Sequence, residues 1–380
     1  MVKVETGQTS LLELGLLFLR LGTTAFGGPA AHIAMMEDEV VRRRRWMTHQ
    51  EFLDLLGATN LIPGPNSTEM AIHIGHRRGG WTGLLVAGVS FIVPAVLIVT
   101  ALAWAYVRYG SLPRVTGILY GIKPVIIAVV IQALWSLGKT SLKTKFLAVV
   151  GVAAVILTFL GTHELLILLG AGAIVVTWRS VRHGRGPTSL LSASPLITLL
   201  SVGASTTFSL WWLFLFFLKV GSVLYGSGYV LLAFIRADLV ERWHWLTESQ
   251  LLDAIVVGQV TPGPVFTTAT FVGYVLAGPK GAVVATVGIF LPAFFFVAVS
   301  GPLVPRIRRS PTAGAFLDGV NAGALALMVV VTFQLGRAAL VDFPTIALAL
   351  LSAVVLFRFR VNSVWLIIGG AVAGWILYGD

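Results

Sequence analysis

The sequence predicts an all-α polytopic membrane protein made of two homologous halves in an inverted repeat, each with about five transmembrane helices and a Pro-Gly-Pro re-entrant helical hairpin. Three observations predict it. The 380 residues are 57% hydrophobic and 11% charged, with a mean hydropathy of +0.90, whereas soluble domains sit near half apolar and a quarter charged. Long uncharged stretches recur along the chain, and its second part repeats its first at a nearly constant offset.

The apolar residues supply about ten spans at roughly 20 residues per helix. The uncharged stretches lie at 81–107, 124–138, 146–162, 165–178, 187–218, 281–305, 319–336, 343–357 and 361–379. They are uniformly apolar and lack the alternation of a membrane barrel, so they are read as helices, which satisfy every backbone group internally. The polar start Met1 to Ser10 has no positive cluster and no cleavage pattern follows it, so the first apolar segment is expected to remain as a helix. Cysteine is absent, which excludes thiol chemistry and a disulfide scaffold. The net charge of +11 would suggest nucleic acid in a soluble protein. Here the cations punctuate apolar segments and read as topology signals.

At an offset of 199, Trp46, Thr48, Leu53, Asp54, Pro63, Gly64 and Pro65 fall on Trp245, Thr247, Leu252, Asp253, Pro262, Gly263 and Pro264. After one deleted residue the offset becomes 198 and pairs Gly75, Gly80, Pro94 and Gly121 with Gly273, Gly278, Pro292 and Gly319. The N-terminal repeat is therefore set at 1–178, a linker rich in Arg, Gly, Ser and Pro at 179–205, and the C-terminal repeat at 206–380. In each half Pro-Gly-Pro separates two short apolar arms, 52–62 from 66–77 and 251–261 from 265–277. Twelve helical residues rise about 18 Å, against a hydrocarbon core of about 30 Å, so neither arm crosses alone. Five spans per half is an odd number, which turns the second copy over. The Lys and Arg distribution supports this weakly, since a parallel arrangement exchanges only five inside charges for four, and the stretch 187–218 has room for an additional crossing.

A half-helix that begins at Pro65 or Pro264 would aim free amides and the positive end of its dipole at the same cavity. The expected anion site thus contains Asn60, Pro63, Gly64, Pro65, Asn66, Ser67 and Thr68, with Gln259, Pro262, Gly263, Pro264, Thr267 and Thr268. The bland alternative is a proline kink whose hydroxyls bond back to their own helix. Arg20 and Lys219 are matched cations inside the first span of each half, suited either to neutralising a divalent anion or to snorkelling to an interface. Gly27 and Gly28 match Gly226 and Ser227 at a break that either brings more amides to the ligand or simply ends a helix.

Among the acids, Glu69 occurs in one half only, one turn into its half-helix, and is the candidate for proton coupling. Asp54 and Asp253 are read as first-turn caps paired with Arg or Lys, and Glu39 and Asp238 as partners of the Arg-rich loop. Glu69, His73 and His76 share one helical face and would suit a metal, but the second half has no such triplet. No metal or catalytic residue is therefore assigned, and an intramembrane metalloenzyme is a minor alternative. Trp211, Trp212, Trp243 and Trp245 read as interfacial anchors.

Phe26, Gly27, Gly28 and Pro29, Trp46 with Asp54, Pro63 to Asn66, and in the second half Thr261 to Ala269, Gly273, Phe290 to Pro292 and Phe316 to Gly319 together form a specific pattern. In these residues, and in its duplication, the chain resembles the chromate ion transporter family in its long-chain, two-domain form. The resemblance implies a multi-pass protein of the bacterial inner (plasma) membrane, not an enzyme and without cofactor. It would export chromate and confer chromate resistance by alternating access, coupled to protons or exchanging with sulfate. The implied partners are chromate, sulfate, protons and the lipid bilayer, with no nucleic acid; a homodimer is left open. The competing readings are a transporter of sulfate or another oxyanion and a passive anion channel.

Overall fold

The computed structural model describes residues 9–25, 28–110, 112–182, 207–225, 228–300, 310–359, 361 and 363–378. Most of the expected linker, together with Gly27 and Gly226, lies outside the described residues.

The described residues form helices in two matching series and no strand. In the first half these are α1 (Leu11–Thr24), α2 (Gly28–Glu37, continued by a π-helical stretch Asp38–Arg43), α3 (His49–Thr59), α4 (Asn66–Tyr109), α5 (Pro113–Ser141), α6 (Lys145–Phe159) and α7 (Glu164–Arg182). In the second they are α8 (Leu210–Val223), α9 (Val230–Phe234, continued by a π-helical stretch Ile235–Arg242), α10 (Glu248–Val260), α11 (Thr268–Ser300, preceded by a 3-10 turn Val265–Thr267), α12 (Pro311–Ala339), α13 (Phe343–Phe359) and α14 (Ser363–Tyr378).

The repetition extends to the devices that start and stop the helices. Ser10 and Ser209 cap α1 and α8 through their hydroxyls, satisfying an orphan amide in the first turn. Thr48 with Glu51 and Thr247 with Gln250 form capping boxes on α3 and α10. Each π-helical stretch is followed by a non-glycine residue at positive φ, Arg45 at 53° and His244 at 54°.

α4 and α11 each bend sharply at a matched glycine, Gly80 (φ 59°) and Gly278 (φ 60°). The segment before each bend folds back on the segment after it. Gly75 meets Gly83 and Gly273 meets Gly281 so closely that a Cβ on any of them would overlap the facing carbonyl oxygen. The long arm expected at 81–107 is thus the second limb of α4, and the bend rather than a loop connects it to the arm at 66–77.

The halves interlock. α1 packs on α4 and α8 on α11, and α4 meets α11 between the halves. α5 lies against α13 and α14 of the second half, while its counterpart α12 lies against α6 and α7 of the first. Close helix crossings permit this: a Cβ on Gly121 would fall 2.6 Å from the Cα of Gly374, and one on Gly319 would fall 2.7 Å from the Cα of Gly172. The largest apolar core accordingly draws on both halves, from Val99 and Ile126 to Phe217, Phe271 and Leu327.

Among the described residues five helices are long and apolar enough to cross a membrane: α4, α5, α7, α11 with its preceding turn, and α12. Four more, α6, α8, α13 and α14, are apolar but shorter, at 14 to 17 residues. The protein is a multi-pass membrane protein.

Candidate functional site

Pro63-Gly64-Pro65 connects α3 to α4, and Pro262-Gly263-Pro264 connects α10 to the turn before α11. Both glycines have positive φ, 140° at Gly64 and 92° at Gly263, a region open to glycine because it lacks a Cβ. Their amides are not free. Gly64 N–H donates to the carbonyl of Leu224 at 2.8 Å, and Gly263 N–H donates to the carbonyl of Ala25 at 3.0 Å. Ala25 and Leu224 are the matched C-caps of α1 and α8, both in extended conformation, so each turn is clasped to the first helix of the opposite half.

Other expected donors are also engaged. Thr68 and Glu69 N–H both donate to the Pro65 carbonyl, and Thr267 N–H donates to the Pro264 carbonyl. The Thr267 hydroxyl bonds back to Pro264 and that of Thr268 to Val265, both at 2.8 Å, which is the kink alternative raised above. Asn66 donates to Asn60 at 2.8 Å across the first turn, and Asn60 to the Leu56 carbonyl at 3.0 Å. Pro63, Pro65, Ser67, Pro262 and Pro264 are buried.

A cavity of about 280 Å³ lies against the second turn. The first half lines it with Ala25, Gly28 and His32 and with Gln132 and Ser136 of α5; the second contributes Tyr229, Gly258, Gln259, Thr261, Gly263, Val265 and Ser363. Of the expected residues it gathers Gly28, Gln259 and Gly263. Among the described residues no Lys, Arg, Asp or Glu lines it. The Tyr229 hydroxyl donates to Gln259 Oε1 at 3.0 Å, and the Ala25 carbonyl that accepts Gly263 also meets His32 Nε2 at 3.0 Å. His32, Gln132, Ser136, Tyr229 and Ser363 were not singled out in the sequence, and Thr261 entered only as part of the family pattern. The i, i+4 pair Gln132 and Ser136 in the otherwise apolar stretch 124–138 was a readable signal.

The matched cations are elsewhere. Arg20 is ion-paired with Glu39, and Lys219 Nζ lies 2.5 Å from Asp238 Oδ2. Glu39 also holds Arg43 at 3.3 Å and Arg44 at 3.5 Å, and Asp238 pairs with Arg242. Neither Arg20 nor Lys219 lines the cavity: each is ion-paired with an acid of its own half, and the two acids are matched between the repeats. A second cavity of about 250 Å³ carries charge instead, with Arg236, Arg242, Glu164 and Glu241 in its wall, where Arg242 reaches Glu164 at 3.2 Å.

Asp54 and Asp253 are not first-turn caps. The capping boxes start their helices several residues earlier; Asp54 accepts from Gln50 at 3.3 Å, and Asp253 joins Lys123 at 3.0 Å and Tyr106 at 2.9 Å, both from the other half. Glu69 is fully buried, and among the described residues neither of its carboxylate oxygens has a hydrogen-bond partner. It packs against Gly64, where a Cβ would overlap Oε1. His73 Nε2 is likewise buried without a partner, while His76 sets its ring edge-on to Trp81. Among the described residues no group of three or more His, Cys, Asp or Glu is placed to hold a metal.

A family model described as chromate transporter matches residues 12–176 and again residues 211–375. The chain belongs to the chromate transporter family. Its relatives include the chromate transport protein of Cupriavidus metallidurans, 33% identical over 99% of this chain and 95% of that one, and that of Pseudomonas aeruginosa, 31% identical over 95% and 91%. An uncharacterized transporter of Bacillus subtilis, YwrA, is 27% identical over 44% of this chain and 98% of its own length, so one half of this chromate transporter family member corresponds to a whole relative. No solved structure matches the chain. Relatives named as transporters fit a protein that is not an enzyme.

Proposed function

We propose that the protein is a secondary active transporter that exports chromate, a tetrahedral oxyanion, across the bacterial inner membrane by alternating access and thereby confers chromate resistance. The observation that carries this reading is the cavity between the two clasped halves, walled by uncharged hydrogen-bonding groups next to a broken-helix turn. Amide and hydroxyl groups suit an oxyanion that must be bound and then released, because the binding is polar but not locked by a fixed ion pair. We assign Gly28, Gln132, Ser136, Tyr229, Gln259, Thr261 and Gly263 to the substrate, and Arg20 and Lys219 to matched ion pairs that hold α1 and α8 to the π-helical stretches.

In this reading the repeats, 1–178 and 206–380, are inverted, and each Pro-Gly-Pro turn is the tip of a re-entrant hairpin near the midplane. Rocking of one half against the other is then hinged at the two clasps. Glu69, buried without a partner beside Gly64, is assigned to coupling with protons. Sulfate is the counter-substrate to test, since it shares the shape and charge of chromate.

The test is uptake of labelled chromate into inverted vesicles, with and without sulfate inside, under an imposed proton gradient. Saturable flux accelerated by internal sulfate or by the gradient supports the exporter. Flux that never saturates and ignores both would make the protein a passive anion channel.

A further inference from the structure

A doubly charged oxyanion in a cavity with no cation in its described wall poses an energetic problem. Moving an ion out of water costs several kcal/mol even after relaxation, and neutral donors recover only part of that. A counter-charge must come from a group that can acquire one. Among the described lining residues two groups titrate, Tyr229 and His32, and of these only a histidine gains positive charge.

His32 is built for this. It is 1% exposed, and its Nε2 meets the Ala25 carbonyl at 3.0 Å. A carbonyl oxygen can only accept, so Nε2 carries the proton and the neutral ring has its lone pair on Nδ1. Nδ1 is buried and has no hydrogen-bond partner among the described residues. Phe91 of α4 meets the ring edge-on with centroids 5.7 Å apart, and the described groups that share the cavity wall with it are uncharged, among them Gln132 and Ser136 of α5, Gly263 of the second turn, and Tyr229, which is bonded to Gln259. The charges nearest in sequence are paired: Glu37 meets His49 at 3.1 Å, Asp38 holds Arg43 at 2.7 Å, and Glu39 is bound to Arg20 of α1. The second half has Leu231 at the matched position, so the cavity contains one such group.

We propose that His32 is the counter-charge of the anion cavity: it takes a proton from solvent onto Nδ1 when a tetrahedral oxyanion enters and gives it up when the anion leaves. The proposal rests on the oxyanion reading of the cavity and adds the group that makes the site binding-competent. Anion and proton then bind cooperatively, and by linkage each raises the affinity for the other by the same factor. The Ala25 carbonyl also accepts Gly263 N–H, so a charged His32 strengthens its bond at one clasp and ties occupancy of the cavity to the hinge.

The experiment measures chromate binding to the purified full-length protein by calorimetry at pH 6 and pH 8, in buffers of differing ionisation enthalpy that report proton uptake. Wild type is compared with His32→Gln and His32→Asn. Chromate itself takes up a proton near neutral pH, and the difference between wild type and variant cancels that contribution. Wild type is expected to take up about one proton more per chromate than the variants at a pH where the empty site is neutral, and to bind at least tenfold tighter at pH 6. The variants should bind with much smaller pH dependence. Equal proton uptake and equal pH dependence in wild type and His32→Gln would overturn the proposal and leave the oxyanion reading standing. No chromate binding by wild type at either pH would remove both. If neither variant folds, the His32 ring resonances of the wild type decide: a shift to the charged form on adding chromate supports the proposal, and ring resonances that do not move overturn it.

Discussion

Gly64 and Leu224 are joined by a backbone hydrogen bond of 2.8 Å, and one repeat away Gly263 and Ala25 are joined by one of 3.0 Å. The two bonds exchange partners between the halves: the Pro-Gly-Pro turn of each half is held by the end of the first helix of the other. A glycine is required at both places, for two reasons that can be separated. At Gly64 an added Cβ meets Glu69 Oε1; at Gly263 it meets the Ala95 Cβ at 2.9 Å and the Gly22 carbonyl at 3.1 Å. Gly64→Ala and Gly263→Ala should each lose about 1–3 kcal/mol, from positive φ and crowding together. Thermal unfolding in detergent checks this. Adding Glu69→Ala should recover part of the loss in Gly64→Ala and none of the loss in Gly263→Ala.

The ion pairs Arg20–Glu39 and Lys219–Asp238 predict a change in stability without a change in affinity. Lys219→Met leaves the buried Asp238 with Arg242 alone, and it should cost about 1–2 kcal/mol, since Lys219 is itself partly exposed and screened. Because Lys219 does not line the cavity, the chromate KM should stay within about twofold of wild type, the signature of a residue outside the binding contacts. A tenfold rise in KM at unchanged expression would return Lys219 to the substrate site.

Much of this was legible from residue order. The duplication at offsets of 199 and 198 fixes the helices in two series, and Gly80 and Gly278, found as matched residues, are where α4 and α11 bend. What sequence order lacks is which groups satisfy one another in space. Gly64 N–H reads as a free donor until Leu224 from the other half occupies it, and Arg20 reads as a free cation until the following helix returns Glu39 to it. The cavity was harder still. Its wall is assembled from the end of α1, α2, α5, the start of α9, α10, the second turn and α14, and His32 and Tyr229 have no matched polar partner in the other repeat, since Leu231 and Ala30 stand there. A search for repeated features finds the scaffold and passes over a site made by the difference between the repeats.

Glu69 gives a prediction that separates coupling from folding. A buried carboxylate without a hydrogen-bond partner is a cost to the fold, so Glu69→Gln should unfold at the same temperature as wild type or higher. If Glu69 carries coupling, the same variant should lose acceleration by a proton gradient while sulfate-driven exchange continues. Undiminished response to the gradient in Glu69→Gln vesicles would take Glu69 out of the coupling scheme.

Asp342, in the turn between α12 and α13, predicts an acid-side loss of stability. The Tyr120 hydroxyl donates to Oδ2 at 2.6 Å and the Thr345 amide to Oδ1 at 3.0 Å, and these bonds hold the carboxyl below its ordinary value of 3.8. With the folded value depressed, the contribution is complete above 3.8 and is lost as pH falls through the folded value. Asp342→Asn should therefore lower the unfolding temperature at pH 6 and converge on wild type toward pH 2 to 3. Parallel curves down to that range would refute the assignment.

Asn60 and Gln259 occupy matched positions and make opposite predictions. Asn60 bonds to Leu56 and Asn66 and does not line the cavity, whereas Gln259 lines it with its Oε1 held by the Tyr229 hydroxyl. With the oxygen so engaged, the amide nitrogen is left with two N–H donors, the chemistry an oxyanion needs. Gln259→Leu should raise the chromate KM about tenfold, the loss of one hydrogen bond to a charged group. Tyr229→Phe should raise it a few-fold by freeing the amide to rotate, and Asn60→Leu should leave it unchanged. Transport assays on the three variants, normalised to protein in the membrane, test that order. An equal rise for Asn60→Leu and Gln259→Leu would mean that both turns contact the anion and that the site is symmetric after all.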